Sequence, residues 1–179
     1  EGPSPLTVRI DPTSPNGILR PITPAVVVRA YAYKTGMTSS NVDTQTYIFV
    51  DRVLRQTRPN GFPTTMAFDM DQAVVNAAAY SARIRDDLLA LPSMSVVASY
   101  SQVFGSNGVL VANNSSIEVP GSIEVMHTSG RNDQVDCGLT PHSWIQTKRS
   151  LRVYFRALYG NDKWRHDLFR DAAEGHAVG

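Results

Sequence analysis

Hydrophobic and polar positions alternate over two closely spaced runs near the carboxyl end. In residues 135–139, Val135, Cys137 and Leu139 share one face. In residues 151–155, Leu151, Val153 and Phe155 alternate with Arg152, Tyr154 and Arg156. A period of two predicts strands with an apolar face inward and, for the second run, a cationic face outward. A turn-rich segment ending in Lys148 and Arg149 separates the runs. Beyond them, Tyr159-Gly160-Asn161-Asp162 predicts a turn, and Trp164 and Phe169 an aromatic clamp. Alternation also predicts strands over residues 25–33, 44–50, 94–98 and 122–126, the last with Ile123 and Val125 inward. Residues 6–10 have strand character, and the apolar run 108–112 reads as a further strand. Turns are expected at 34–36 and, around Gly130, at 127–133.

Helical spacing is confined to the middle of the chain. Tyr80, Ile84, Leu88 and Leu91 recur on one side of residues 79–91, Arg83, Arg85, Asp86 and Asp87 cover the other, and Pro92 ends the run. Asp69 or Asp71 is placed to cap a short helix reaching about Ala78, and 101–104 reads as one more helical turn. Residues 52–65 read as a linker, and 1–24 as a proline-rich loop segment. The expected fold class is α+β, mainly antiparallel strands with one or two helices between Met70 and Leu91.

Composition narrows the chemistry. The 179 residues carry Lys+Arg 17 against Asp+Glu 16, so no general basic field favours nucleic acid. Cys137 is the only cysteine, which excludes an internal disulfide, and its place on an apolar strand face marks a buried structural thiol. No apolar run approaches the roughly 20 residues that span a bilayer. The start, Glu1-Gly2-Pro3-Ser4-Pro5, lacks a Met and enters in mid-loop, so the chain reads as an internal fragment. His127, His142, His166 and His176 are scattered, without the i, i+4 spacing of a zinc site. Asp86 and Asp87 read as a solvated pair. Neither a Walker-type phosphate loop nor a nucleophile elbow is present. Arg149, Arg152 and Arg156 have the guanidinium geometry for phosphate contact.

Gly138-Leu139, Lys148-Arg149-Ser150-Leu151-Arg152, Tyr159-Gly160 and Asp167-Leu168-Phe169 together resemble a recurring block of the spore-coat protein H-like (CotH) kinase family. Leu91-Pro92-Ser93-Met94-Ser95-Val96-Val97, Val103-Phe104 and Gly108–Asn113 follow the order and spacing of that family's preceding segments. The resemblance implies a kinase N-lobe-like domain over residues 51–179, in which Lys148 holds nucleotide phosphate and Gly138 shapes the adjacent loop. Arg149 and Arg152 are further phosphate contacts. ATP and Mg are implied for a complete family member. The family's catalytic and metal-binding acids lie in a C-terminal lobe beyond this chain, so no catalytic residue and no metal ligand is expected here, and no kinase turnover. The sequence departs from the family where a glycine-rich Ser-Arg loop is replaced by Pro141-His142-Ser143-Trp144.

Residues 1–50 carry a second resemblance. Pro21-Ile22, Val28–Gly36, Ser39-Ser40 and Thr46-Tyr47 look like the last strands of a chitobiase/β-hexosaminidase C-terminal-type immunoglobulin-like module. The two resemblances together imply a secreted or cell-surface bacterial protein whose partner is the rest of its own chain, the C-terminal lobe. The alternative is an extracellular scaffold or glycan-binding module, with Tyr31, Tyr33 and Trp144 stacking on sugar rings and protein or glycan at the cell surface as partner. Nucleic-acid binding by the arginine-rich strand is a third reading, opposed by the balanced charge.

Overall fold

A computed structural model of the chain describes residues 7–13, 23–112, 114, 116–143, 147–160 and 162–165. Two antiparallel sheets and four short helices organise these residues. The first sheet is a hairpin of β1 (Ala25–Ala30) and β2 (Asp43–Ile48), with Ala25 opposite Ile48 and Ala30 opposite Asp43. The second has the order β3-β4-β5-β6. Its strands are β3 (Ser93–Val97), β4 (Val119–Met126), β5 (Asn132–Ser143) and β6 (Ser150–Tyr154). The fold is α+β, with every strand pair antiparallel.

Alternation along the strands separates the two faces of the larger sheet. Residues paired across an antiparallel ladder point to the same side. Ile123 pairs with Val135, Val119 with Leu139 and Leu139 with Val153, so one face is apolar. Ile123, Val125, Val135, Cys137 and Leu139 are buried there, and Val109 is a plug from outside the sheet. Leu151, Val153, Phe155 and Trp164 pack around this core. Burying each such side chain fully contributes about 1.5–3 kcal/mol. The Phe155 and Trp164 rings meet at 5.8 Å; the clamp expected of Trp164 was with Phe169. Phe169 lies outside the described residues.

The opposite face is polar, and β2 lies over it. The Thr46 backbone N–H donates to Glu124 Oε2 at 2.7 Å, and Thr46 Oγ1 to Ser95 Oγ at 2.8 Å. Glu124 is only 1% exposed. A hydrogen bond to a charged acceptor of this kind contributes about 1.5–3 kcal/mol. It ties the hairpin to the sheet.

The helices are shorter than their apolar spacing predicts. α1 (Val50–Val53) leaves β2 almost directly, within the segments read as strand end and linker. α2 (Gln72–Val75) starts where expected: Asp71 accepts a 2.8 Å hydrogen bond from the Ala73 N–H. α3 (Ile84–Leu89) occupies only the second half of 79–91. Residues 78–83 form successive turns, and at Arg83 φ falls to −127°, outside the helical region. Tyr80 and Leu91, expected on the buried stripe, are exposed, whereas Ile84 and Leu88 are half-buried. Asp86 and Asp87 are exposed as expected, Asp87 in an i, i+4 pair with Arg83 at 3.1 Å. α4 (Tyr100–Phe104) matches its prediction.

The strand expected at 108–112 is a turn. Val109 and Leu110 donate to the carbonyls of Gln102 and Val103 at 2.9 and 3.0 Å, folding the run back on α4. Its apolar content serves the core through Val109 and not through strand pairing. A short apolar run does not distinguish these outcomes by periodicity. No strand forms over the described residues 7–10 either. The turns at Lys34 and Gly130 are as expected: the Met37 N–H donates to the Lys34 carbonyl at 3.0 Å, and Gly130 has φ +83° in the β4–β5 hairpin.

Candidate functional site

Lys148 and Arg149 stand at the foot of β6, where the chain crosses residues 66–69. The Ala67 N–H donates to the Thr147 carbonyl at 3.1 Å, and Lys148 Nζ to the Asp69 carbonyl at 3.3 Å. These bonds set both cations beside a cavity of about 270 Å³ walled by Met66, Phe68, Phe104 and Leu110. Its floor is stiffened by a cluster of edge-on and tilted aromatic rings. Phe62 meets Phe68 at 5.4 Å and Phe104 at 4.9 Å, and Tyr100 joins the group, its hydroxyl donating to the Gly61 carbonyl at 2.5 Å. Lys148 is exposed at the rim and Arg149 half-buried.

Gly138 lies elsewhere. It sits inside β5, opposite Pro120 on one side and Tyr154 on the other, and is not part of a loop. A Cβ there would stand 2.5 Å from Glu118 Oε1 and 2.7 Å from Tyr159 Cε2. The missing side chain makes room for a polar cluster. Arg156 grips Glu118 through Nε at 3.0 Å and Nη2 at 2.9 Å, and the Tyr159 hydroxyl donates to Glu118 Oε1 at 2.9 Å. The Arg156 fork holds the Glu118 carboxyl below its usual range, and the Tyr159 hydroxyl adds to the effect. Burial, followed by the Glu118 contact, pushes the Tyr159 phenol up. Because Gly138 pairs with Tyr154 whereas Ser143 pairs with Ser150, Gly138 and Lys148 fall toward opposite ends of the β5–β6 ladder. The structure therefore does not bring these two predicted residues together.

Arg152 is on the outer face of β6. Its Nη2 donates to His142 Nδ1 at 3.0 Å and its Nη1 to the Tyr154 hydroxyl at 3.3 Å. Arg156 lies 4.6 Å from the centre of the Tyr154 ring. The expected cationic face exists, but Arg156 is neutralised by Glu118. Trp144 and His166 lie outside the described residues.

Cys137 is fully buried, and burial pushes its thiol up to about 11, with Asp136 adding to the shift. That is the environment of an inert packing residue.

The Lys148 cavity suits one part of the nucleotide that the family resemblance implies. An apolar aromatic slot accepts a flat base, and two cations at the rim accept phosphate. Among the described residues no three His, Cys, Asp or Glu side chains converge to hold a metal ion. No helix among the described residues is long and apolar enough to cross a membrane.

Sequence reasoning located Lys148 and Arg149 but missed Met66, Phe68 and Phe104, which supply the walls. These lie in segments without strong periodicity, and only the aromatic content of 62–68 marks them. Comparison with family models, with curated proteins and with solved structures finds no match to this chain.

Proposed function

We propose that this chain is the nucleotide-holding, non-catalytic part of an extracellular CotH-like protein, its four-stranded sheet corresponding to a kinase N-terminal lobe. The observation that supports the reading is the seating of Lys148 and Arg149 on the rim of an aromatic slot. Its volume is near the lower end of ligand sites, about 300–1,000 Å³, so it takes a base with a phosphate against Lys148 and little more. Transfer of a phosphoryl group needs metal-binding and proton-accepting carboxylates as well as positioning. In this reading those belong to a following lobe.

Titration with a fluorescent ADP analogue, competed by ADP, tests the proposal. Saturable binding is expected, and Lys148→Ala should weaken it about tenfold, as removal of one charge-assisted hydrogen bond does. Binding that ignores Lys148→Ala overturns the site. Phosphate release from ATP and magnesium above the buffer rate overturns the non-catalytic assignment.

A second reading has its own observation. Tyr31 and Tyr33 are 57% and 62% exposed, with ring centroids 6.0 Å apart. Adjacent aromatic rings held this open to solvent provide a platform on which sugar rings stack, in keeping with glycan attachment at a cell surface.

A further inference from the structure

A cleft of about 350 Å³ lies between the loop end of the β1–β2 hairpin and the polar face of the larger sheet. Arg29 of β1, Asn41 of the hairpin loop, Gln102 of α4, Asp136 of β5 and Tyr159 of the 3₁₀ turn (Ala157–Tyr159) line it. Its size is that of a small-molecule site.

The lining has a specific chemical character. Arg29 and Asp136 are the only charged residues in its lining, one of each sign, so the lining carries no net charge to favour an ion of either sign. The remaining polar groups are amides and hydroxyls, which both donate and accept. Two are held in place. Gln102 Oε1 accepts from Ser99 Oγ at 2.7 Å, which turns its Nε2 donors the other way. The Tyr159 hydroxyl is anchored on Glu118 at 2.9 Å, which fixes the ring. Beside that ring Leu158 is 81% exposed, so an apolar lip borders the polar wall.

A ligand matching this surface is uncharged, rich in hydroxyls and apolar on one face. Those are the properties of a saccharide. The aromatic pair adjoins the cleft: the Ala32 N–H donates to Ser40 Oγ at 2.8 Å and the Ser40 N–H to the Ala32 carbonyl at 2.9 Å. Ser40 lines the cleft, and Tyr31 and Tyr33 flank Ala32.

We propose that this cleft binds a short neutral saccharide, with Tyr31 and Tyr33 as its outer stacking subsite. The proposal rests on the glycan reading above and adds the place where hydroxyls are recognised. It is separate from the Lys148 cavity.

The test is an NMR titration of the ¹⁵N-labelled chain with di-N-acetylchitobiose and, separately, cellobiose. The expected result is saturable shifts at the Gln102 side-chain amide and at the Gly121 and Asp136 backbone amides. Gln102→Ala and Asp136→Asn should each weaken binding roughly threefold to tenfold, the effect of losing one ligand hydrogen bond, with spectra otherwise retained. Shifts confined to Tyr31 and Tyr33 overturn the cleft and leave the stacking platform standing. Cleft shifts that neither substitution weakens overturn the recognition proposed for it. Silence at both places with both sugars overturns the glycan reading and the cleft together.

Discussion

At Gly138 a single missing side chain lets Glu118, Arg156 and Tyr159 close over β5. Gly138→Ala forces a Cβ to within 2.5 Å of Glu118 Oε1 and 2.7 Å of the Tyr159 ring. Both the carboxylate and the ring must then swing away, which breaks the hydrogen bond between them. Such overpacking costs about 1–3 kcal/mol, to be read as a lowered urea midpoint. The cluster also sets an acid limb. Because the folded Glu118 carboxyl lies below its ordinary value of 4.5, its contribution is present above that pH. It is lost as pH falls through the lower folded value. Glu118→Gln should therefore flatten the dependence of stability on pH below 4.5. Cys137 works in the opposite sense: its thiol moves from 9.0 to about 11, so ionisation favours the unfolded chain and stability falls as pH rises between those values. A thiol reagent at pH 8 should label Cys137 only after denaturant is added. Labelling of the native chain would contradict its burial.

At the scale of elements, the seam between the hairpin and the sheet is the informative place. Glu124 accepts from the Thr46 N–H at 2.7 Å, whereas Thr44 Oγ1 and Ser122 Oγ are enclosed without a hydrogen-bond partner among the described residues. Removing an acceptor from a buried donor costs more than removing an unsatisfied hydroxyl. Glu124→Ala should therefore cost about 1.5–3 kcal/mol and strip hydrogen-exchange protection from the Thr46 amide first. Thr44→Val, which keeps the shape and deletes the orphan oxygen, should be neutral or stabilising. None of this seam was legible in sequence. Ser122 and Glu124 fall outward once Ile123 and Val125 are placed inward, and alternation over 44–50 leaves open which side of that strand is covered, because it assigns faces and does not say what covers the polar one. The strands themselves were legible for the complementary reason. Their inward residues, Ile123, Val125, Val135, Cys137 and Leu139, are the core, and period two encodes that burial directly. Helix length was overestimated at 79–91 because tertiary contact buries only Ile84 and Leu88, and spacing alone carried Tyr80 and Leu91 into the stripe. At the Lys148 cavity, Lys148 was marked only by the family resemblance, and Arg149 by that resemblance and its guanidinium chemistry. Neither indicated the walls, which come from residues 66–68 and 104–110 and meet only through the fold.

For the whole molecule, the two faces of one sheet separate two kinds of surface, and its two edges are protected unequally. The apolar face makes the core, and the polar face, left for the hairpin to cover in part, makes the cleft. At one edge β6 carries Arg152, whose charge resists pairing with another chain. At the other edge β3 reads Ser-Met-Ser-Val-Val, with no charge and no proline. Met94 and Val96 are 54% and 43% exposed there, on the same side as Val125 and Ile123. An uncharged apolar edge is a template for strand addition, and the orphan hydroxyls of the seam show that the covering hairpin does not fully satisfy the adjacent face. The chain should therefore self-associate at high concentration through β3. Val96→Lys places a charge on that edge without touching the buried core, so it should leave the unfolding midpoint within about 0.5 kcal/mol and lower light scattering markedly. Unchanged scattering with an unchanged midpoint would move the association to another surface. A lowered midpoint would mean that Val96 contributes more to the core than its exposure implies.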